Sequence, residues 1–323
     1  MTYLEKNIDL IFKKYTDEEL LKDIDSFING KGKLNKFLNH FFKENIFESI
    51  GPRGNLSPML AMQDDELMDK ILSYINSKPK FYIGSEISNV ESFFRNGGKW
   101  ACKVANFDPT NARNIYLKYF NDTDGQINCL DTSAGFGSRM CSVILSGNNY
   151  CGIDPNKKLF ENLKKCRLFL NNNNYLKDKR LGLYCRGSEE HIIELDNKFD
   201  VSFTSPPYFN LENYSTDECQ STANYGDYNK WLENFVVPTI DNTYRYLKIG
   251  GYAQINIKNL TYGKKYKLFD DWFSIFESHS GFEFVETYEI NHQAQKQYFK
   301  NTTYTKEEYA GFKEPVMVFR KNG

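Results

Sequence analysis

Through the last two thirds of the chain, short apolar runs ending in turn residues alternate with longer helical or mixed stretches. INCLDTS (127–133), YCGIDP (150–155), GLYCRGS (182–188) and FDVSFTS (199–205) come first. GYAQINIKN (251–259), FEFVETYEI (282–290) and EPVMVFRK (314–321) follow. Runs of this length, bounded by Gly, Pro, Asp or Ser, read as strands. Strands that alternate with helices pair in parallel, because a parallel connection needs a crossover and a helix usually supplies it. The pattern predicts an α/β fold with a doubly wound, seven-stranded sheet. The last two strands are expected to lie side by side as a hairpin with a long connection.

Residues 1–95 carry a different pattern and are expected to form a helical N-terminal domain, with residues 96–323 as the second domain. IDLIFKKY, ELLKDIDSFI, KLNKFLNHFFKENIF and DDELMDKILSYI place apolar residues three and four apart, the spacing of a helix with one buried face. Asp17 and Glu18 open the second of these, where acids favour a helix N-terminus. GPRGNLSP (51–58) reads as a loop, as does the NNNN tract at 171–174. No catalytic motif occurs before residue 95, and no internal repeat is evident.

A chain of 323 residues, 40% hydrophobic and 26% charged, suits a globular protein of one large or two modest domains. The opening residues are charged throughout, unlike a signal or transit peptide. No apolar stretch approaches the roughly 18 residues of a membrane span, so a cytoplasmic location is expected. The seven cysteines (102, 129, 141, 151, 166, 185 and 219) show no C-x-x-C spacing, and they read as small buried hydrophobes rather than a disulfide framework. Four scattered histidines give no expected metal site. The net charge of −1 weighs against strong non-specific binding to nucleic acid, but leaves room for a local basic face.

Chemistry begins at CLDTSAGFGSRM (129–140). An apolar strand runs into Asp131, then Gly135 and Gly137, then a helix. Glycines there let backbone amides approach a ligand, and the helix N-terminus favours negative charge. In YCGIDPN, Asp154 ends the next strand, about twenty residues on, where an acid suits ribose hydroxyls. A dinucleotide site is the natural competitor. However, the turn is A-G-F-G-S, and Arg139 and Met140 stand where the third glycine of that fingerprint would fall. A ligand without a pyrophosphate does not need that glycine.

FDVSFTSPPYFNLENYS then places Ser205, Pro206, Pro207 and Tyr208 at the end of a buried strand. Two consecutive prolines cannot continue a central strand, since neither donates a ladder hydrogen bond. They form a stiff corner where open α/β sheets bind ligands. Ser205 Oγ and the Pro206 carbonyl can accept from an amine, and Tyr208 offers a face for a base. Phe209 reads mainly as core, with a place in the same wall as the other option.

The glycine turn and the S-P-P-Y motif, in that order, resemble the S-adenosylmethionine-dependent amino-methyltransferases of DNA, the N4-cytosine and N6-adenine group, over roughly residues 100–323. The resemblance implies a Rossmann-like seven-stranded methyltransferase sheet and S-adenosyl-L-methionine as cofactor. Asp131, Gly135 and Gly137 would line its methionine portion, with Ser133 a further cofactor-binding residue, Asp154 its ribose, and Ser188 or Glu189 its adenine. VANFDPT (104–110) resembles the family's phenylalanine-containing motif and adds Phe107 and Pro109. Ser205, Pro206, Pro207 and Tyr208 would be catalytic, holding an exocyclic amine of a flipped base for direct methyl transfer. Ser before P-P-Y favours cytosine N4 over adenine N6. No Pro-Cys dipeptide occurs, unlike in enzymes that methylate cytosine carbon 5. Alternatives are an RNA base, a protein glutamine amide, or a catalytically silent binding protein that keeps the fold. DNA is the expected partner, and a restriction endonuclease is compatible with the family. Residues 294–313, the helical N-terminal region, and Lys264, Lys265 and Lys267 are the candidates for contacting DNA. The sequence leaves the oligomeric state open.

Overall fold

The computed structural model describes residues 1–52, 54–96, 100–120, 123–209, 211–214, 221–260, 266–290 and 314–323. Six helices open the chain: α1 (Tyr3–Ile11), α2 (Asp17–Ile28), α3 (Asn35–Glu48), α4 (Pro58–Gln63), α5 (Asp65–Asn76) and α6 (Glu86–Arg95). Thr2 with Glu5, and Thr16 with Glu19, form capping boxes that start α1 and α2. The expected helix over IDLIFKKY is only partly present, since the cap at Thr2 starts α1 early and it ends at Ile11. Leu20, Ile24 and Phe27 of α2 are buried, as their spacing requires.

Next come α7 (Pro109–Leu117), β1 (Asn128–Asp131), α8 (Ser138–Leu145), β2 (Asn149–Ile153), α9 (Lys157–Asn172), β3 (Leu181–Tyr184) and β4 (Phe199–Thr204). Then come α10 (Ser221–Tyr225), α11 (Tyr228–Trp231), α12 (Val237–Tyr246), β5 (Leu247–Asn256), α13 (Leu268–Ser278), β6 (Phe282–Glu289) and β7 (Pro315–Lys321), with a short 3-10 turn at Ile193–Leu195 and a π-helical turn at Leu232–Val236. The NNNN tract is not wholly loop. α9 runs through Asn172, and the chain turns at Asn174, whose φ is +65°.

All seven expected strands form one sheet in the order β3-β2-β1-β4-β5-β7-β6. The first five are parallel, whereas β7 is antiparallel to both β5 and β6. The β6–β7 hairpin is as expected, with β7 inserted between β5 and β6. The strand order reverses at β1, which has β2 on one side and β4 on the other. Ligands of open α/β sheets bind beyond the carboxyl ends of strands at such a reversal. Leu130 pairs with Ser202, and Asp131 with Gly152. This register brings the turn after β1, the end of β2 and the corner after β4 together.

One face of the sheet shares a continuous hydrophobic cluster with the N-terminal helices, from Leu20, Phe37 and Phe42 to Cys141, Leu163 and Phe203. Asn162 Nδ2 of α9 donates to Asn45 Oδ1 of α3 at 2.7 Å. The other face packs α11, α12 and α13 through Trp231, Ile240, Trp272 and Phe276. Six cysteines are free, and all of these but Cys185 are buried. Among the described residues no helix is long and apolar enough to cross a membrane. Residues 294–313, Lys264, Lys265 and Cys219 lie outside the described residues.

Candidate active site

A cavity of about 550 Å³ opens at the strand reversal, a volume suited to a cofactor-sized ligand. Nine of the thirteen residues singled out from the sequence line it: Phe107, Ser133, Gly135, Asp154, Ser188, Glu189, Ser205, Pro207 and Tyr208. Asp131, Gly137, Pro109 and Pro206 stand behind the wall, and each has a physical reason to be there.

Asp131 ends β1 and is fully buried. Arg139 Nε donates to its Oδ2 at 2.7 Å, Tyr150 OH at 2.9 Å, and the Ser133 amide reaches Oδ1 at 3.1 Å. These partners occupy its oxygens, so it braces the turn from beneath. Arg139 also donates to the Ser133 carbonyl and itself reaches the cavity. Tyr150 and Tyr116 are buried near this pair, and burial pushes both phenols far up.

Gly135 and Gly137 both have positive φ, +56° and +69°, where a side chain is strained. The Gly135 amide donates to Asp154 Oδ2 at 2.9 Å. Gly137 caps α8, and a Cβ there would collide with the ring of Phe42 from α3. The turn after β1 is therefore fitted against an N-terminal helix.

Asp154 is nearly buried at the end of β2, and its Oδ1 accepts from the Asn156 amide at 3.0 Å. Burial raises its carboxyl above the ordinary range, while the two amide hydrogen bonds oppose the rise. The Phe107 segment is stitched to α8. Ser138 Oγ donates to the Phe107 carbonyl, and Ser142 Oγ to that of Pro109 at 2.8 Å. Pro109 thus serves as the first residue of α7, capped by Asp108. The Phe107 ring packs edge-on to Phe203 at 5.3 Å.

After β3, Ser188 Oγ is buried and pairs with Thr239 Oγ1 at 2.8 Å. The Glu189 carboxylate takes a hydrogen bond from Tyr225 OH at 3.2 Å. Its other oxygen is buried without a partner, an arrangement that suits a ligand donor such as an amino group. Burial raises this carboxyl as well.

At the end of β4, Ser205, Pro207 and Tyr208 are half-buried on the cavity wall, and Pro206 is buried behind them. Burial drives the Tyr208 phenol up, and the charges of Glu314 and Glu212 add to the rise. Tyr208 thus presents a neutral aromatic ring. Phe209 has φ +49° and packs between Tyr228, Trp231 and Tyr266, with ring centroids 5.1–5.5 Å away. It is a core residue that also touches the cavity.

Several lining residues carried no sequence signal, among them Glu212, Tyr214, Lys258 and Glu314. They come from three separated segments, so no local motif links them. Lys258 Nζ pairs with Glu314 Oε1 at 2.8 Å. Tyr214 OH donates to Glu212. Among the described residues, no group of three His, Cys, Asp or Glu could hold a metal ion.

These groups fit S-adenosylmethionine. A buried acid sits beside a glycine turn, a second carboxylate has an unsatisfied oxygen, and the apolar ring of Phe107 lies nearby. No family model matches the chain, and no curated protein sequence does. Solved structures with similar folds include a TehB-like SAM-dependent methyltransferase from Corynebacterium glutamicum. It is 16% identical over 66% of this chain and 87% of its own, with a TM-score of 0.42. The tRNA (m1A58) methyltransferase TrmI from Aquifex aeolicus is 10% identical over 68% of this chain and 71% of its own, with a TM-score of 0.40. A methyltransferase from Pyrococcus furiosus is 20% identical over 67% of this chain and 84% of its own, with a TM-score of 0.38.

Proposed function

We propose that the chain is an S-adenosylmethionine-dependent methyltransferase that methylates the exocyclic amine of a DNA base, cytosine N4 in preference to adenine N6. The observation that carries this reading is one shared cavity. Gly135, Asp154 and Glu189 line one part of it, and Ser205, Pro207 and Tyr208 another.

Bound there, S-adenosylmethionine supplies an electrophilic methyl group on a sulfonium. Asp154 accepts from its ribose hydroxyls, and Glu189 from its adenine amine. The turn held by Asp131 and Arg139 keeps the Gly135 amide on Asp154 and so orients that carboxylate. On the other side, Ser205 Oγ accepts from the target amine, on a corner that the buried Pro206 stiffens from behind. That bond draws the nitrogen toward tetrahedral geometry and localises a lone pair otherwise delocalised into the ring. The neutral Tyr208 ring stacks on the base, a contact worth about 1–3 kcal/mol. It partly offsets the few kcal/mol of flipping. Positioning of this kind contributes up to about 7–11 kcal/mol relative to free encounter.

The test is transfer of labelled methyl to DNA, RNA and glutamine-bearing protein in parallel. Label should enter DNA, and Ser205→Ala should lower the rate about 10²–10³-fold, as for other preorganised hydrogen-bond groups. Tyr208→Ala should fall comparably. Label in RNA or protein alone would move the assignment to that acceptor, and full activity of both variants would refute the role of this corner.

A further inference from the structure

Glu212 lies four residues beyond Tyr208 and lines the same cavity. Its loop is held from several directions. The Ile50 amide donates to the Asn213 carbonyl at 2.7 Å, and the Asn213 amide returns the bond at 3.0 Å. Ser49 Oγ and Asn156 Nδ2 both donate to the Tyr214 carbonyl, at 3.3 and 3.4 Å. Tyr214 OH in turn holds one oxygen of Glu212. A segment so anchored keeps its side chain in place, as a catalytic group requires.

The charged and titratable groups around this carboxylate are Tyr208, Tyr214 and Lys258, with Glu314 beyond. Lys258 is already paired with Glu314, and the two tyrosines are held neutral by burial. Burial also raises the Glu212 carboxyl above its ordinary value, against the opposing pull of Tyr214 and Lys258. A carboxylate with a raised pKa is a stronger base than a solvent-facing one.

The corner after β4 contains a hydroxyl, carbonyls and a phenol, but no acid. An amine that gains a methyl must lose a proton, and neither a neutral hydroxyl nor a carbonyl can keep one at neutral pH. We infer that Glu212 takes that proton, a role that rests on the amine-methylation reading above. The amine nitrogen gives its lone pair to the methyl carbon. The carbon–sulfur bond breaks with its electron pair remaining on sulfur. The nitrogen, now cationic, sheds one proton to the Glu212 carboxylate, which later releases it to water.

Glu212→Gln keeps the size of the side chain and an oxygen for Tyr214, but cannot take a proton. It should lower kcat about 10²–10⁴-fold, the usual worth of a general base. Calorimetric affinity for S-adenosylmethionine should be unchanged, which also shows that the variant folds. The acid limb of the kcat–pH profile should disappear. Glu212→Asp, a shorter base, should recover part of the rate and the limb. An active wild type beside a Glu212→Gln variant with full kcat and an unchanged acid limb overturns this role and leaves the amine reading standing. A wild type that binds S-adenosylmethionine yet methylates no amine acceptor overturns both.

Discussion

Gly137→Ala should destabilise the protein by about 2–5 kcal/mol, in two parts that can be measured separately. The first part is backbone strain. Gly137 has φ +69°, and a left-handed conformation costs an alanine roughly 1–2 kcal/mol. The second is overlap of the new methyl with the ring of Phe42, and overpacking of a filled core costs about 1–3 kcal/mol. Phe42 belongs to α3, so the second part reports directly on how the N-terminal helices seat against the turn after β1. Removing the ring atoms with Phe42→Leu should abolish the overlap. Urea denaturation of the four proteins in the cycle, followed by far-ultraviolet circular dichroism, gives the coupling energy. The expected coupling is about 1–3 kcal/mol, with the double variant more stable than additivity requires. A single-variant cost below about 0.5 kcal/mol, the range of ordinary surface changes, would refute the argument. So would a cycle additive to within about 0.5 kcal/mol.

Asp131→Asn leaves Arg139 buried opposite a neutral amide, and breaking such a pair should cost about 3–5 kcal/mol in urea unfolding; a loss under about 1 kcal/mol would contradict the bracing role. Asp154 must be ionised to accept from two hydroxyls, and its folded pKa lies above the ordinary 3.8. Calorimetric affinity for S-adenosylmethionine should therefore be full at neutral pH and fall as pH drops through that raised value, whereas Asp154→Asn should bind weakly at every pH. The same shift has the opposite sign for folding. The stability it contributes is present below the unfolded pKa and lost as pH rises through the folded one, so ligand-free Asp154→Asn should show a flatter stability–pH curve than wild type.

Much of the sheet was legible because parallel strands are buried on both faces and read as apolar runs. All five residues of β2 are buried, and YCGIDP has the composition that such a strand needs. The corner after β4 was legible for a related reason, since two prolines end a strand wherever they occur. The fate of Asp131 was not. Its partner, Arg139, is eight residues away on α8, and the sequence pattern does not say that the two meet in a buried pair rather than facing a ligand. The sequence points to Gly137 as part of a ligand turn, yet the collision that demands glycine comes from Phe42, 95 residues earlier. Contacts over such separations follow from helix packing, which hydrophobic spacing does not specify. Glu212, Lys258 and Glu314 were missed for the same reason, because a site assembled from separate loops leaves no local signature.

In the function proposed above, this cavity presents a base amine to a sulfonium methyl. Sequencing DNA from cells that express the protein, with detection of modified bases, tests it directly. Methylation is expected on an exocyclic amine, cytosine N4 first, at a recurring sequence, and it should be lost in cells expressing Ser205→Ala. Unmodified DNA, or methyl groups on carbon 5 of cytosine, would contradict it.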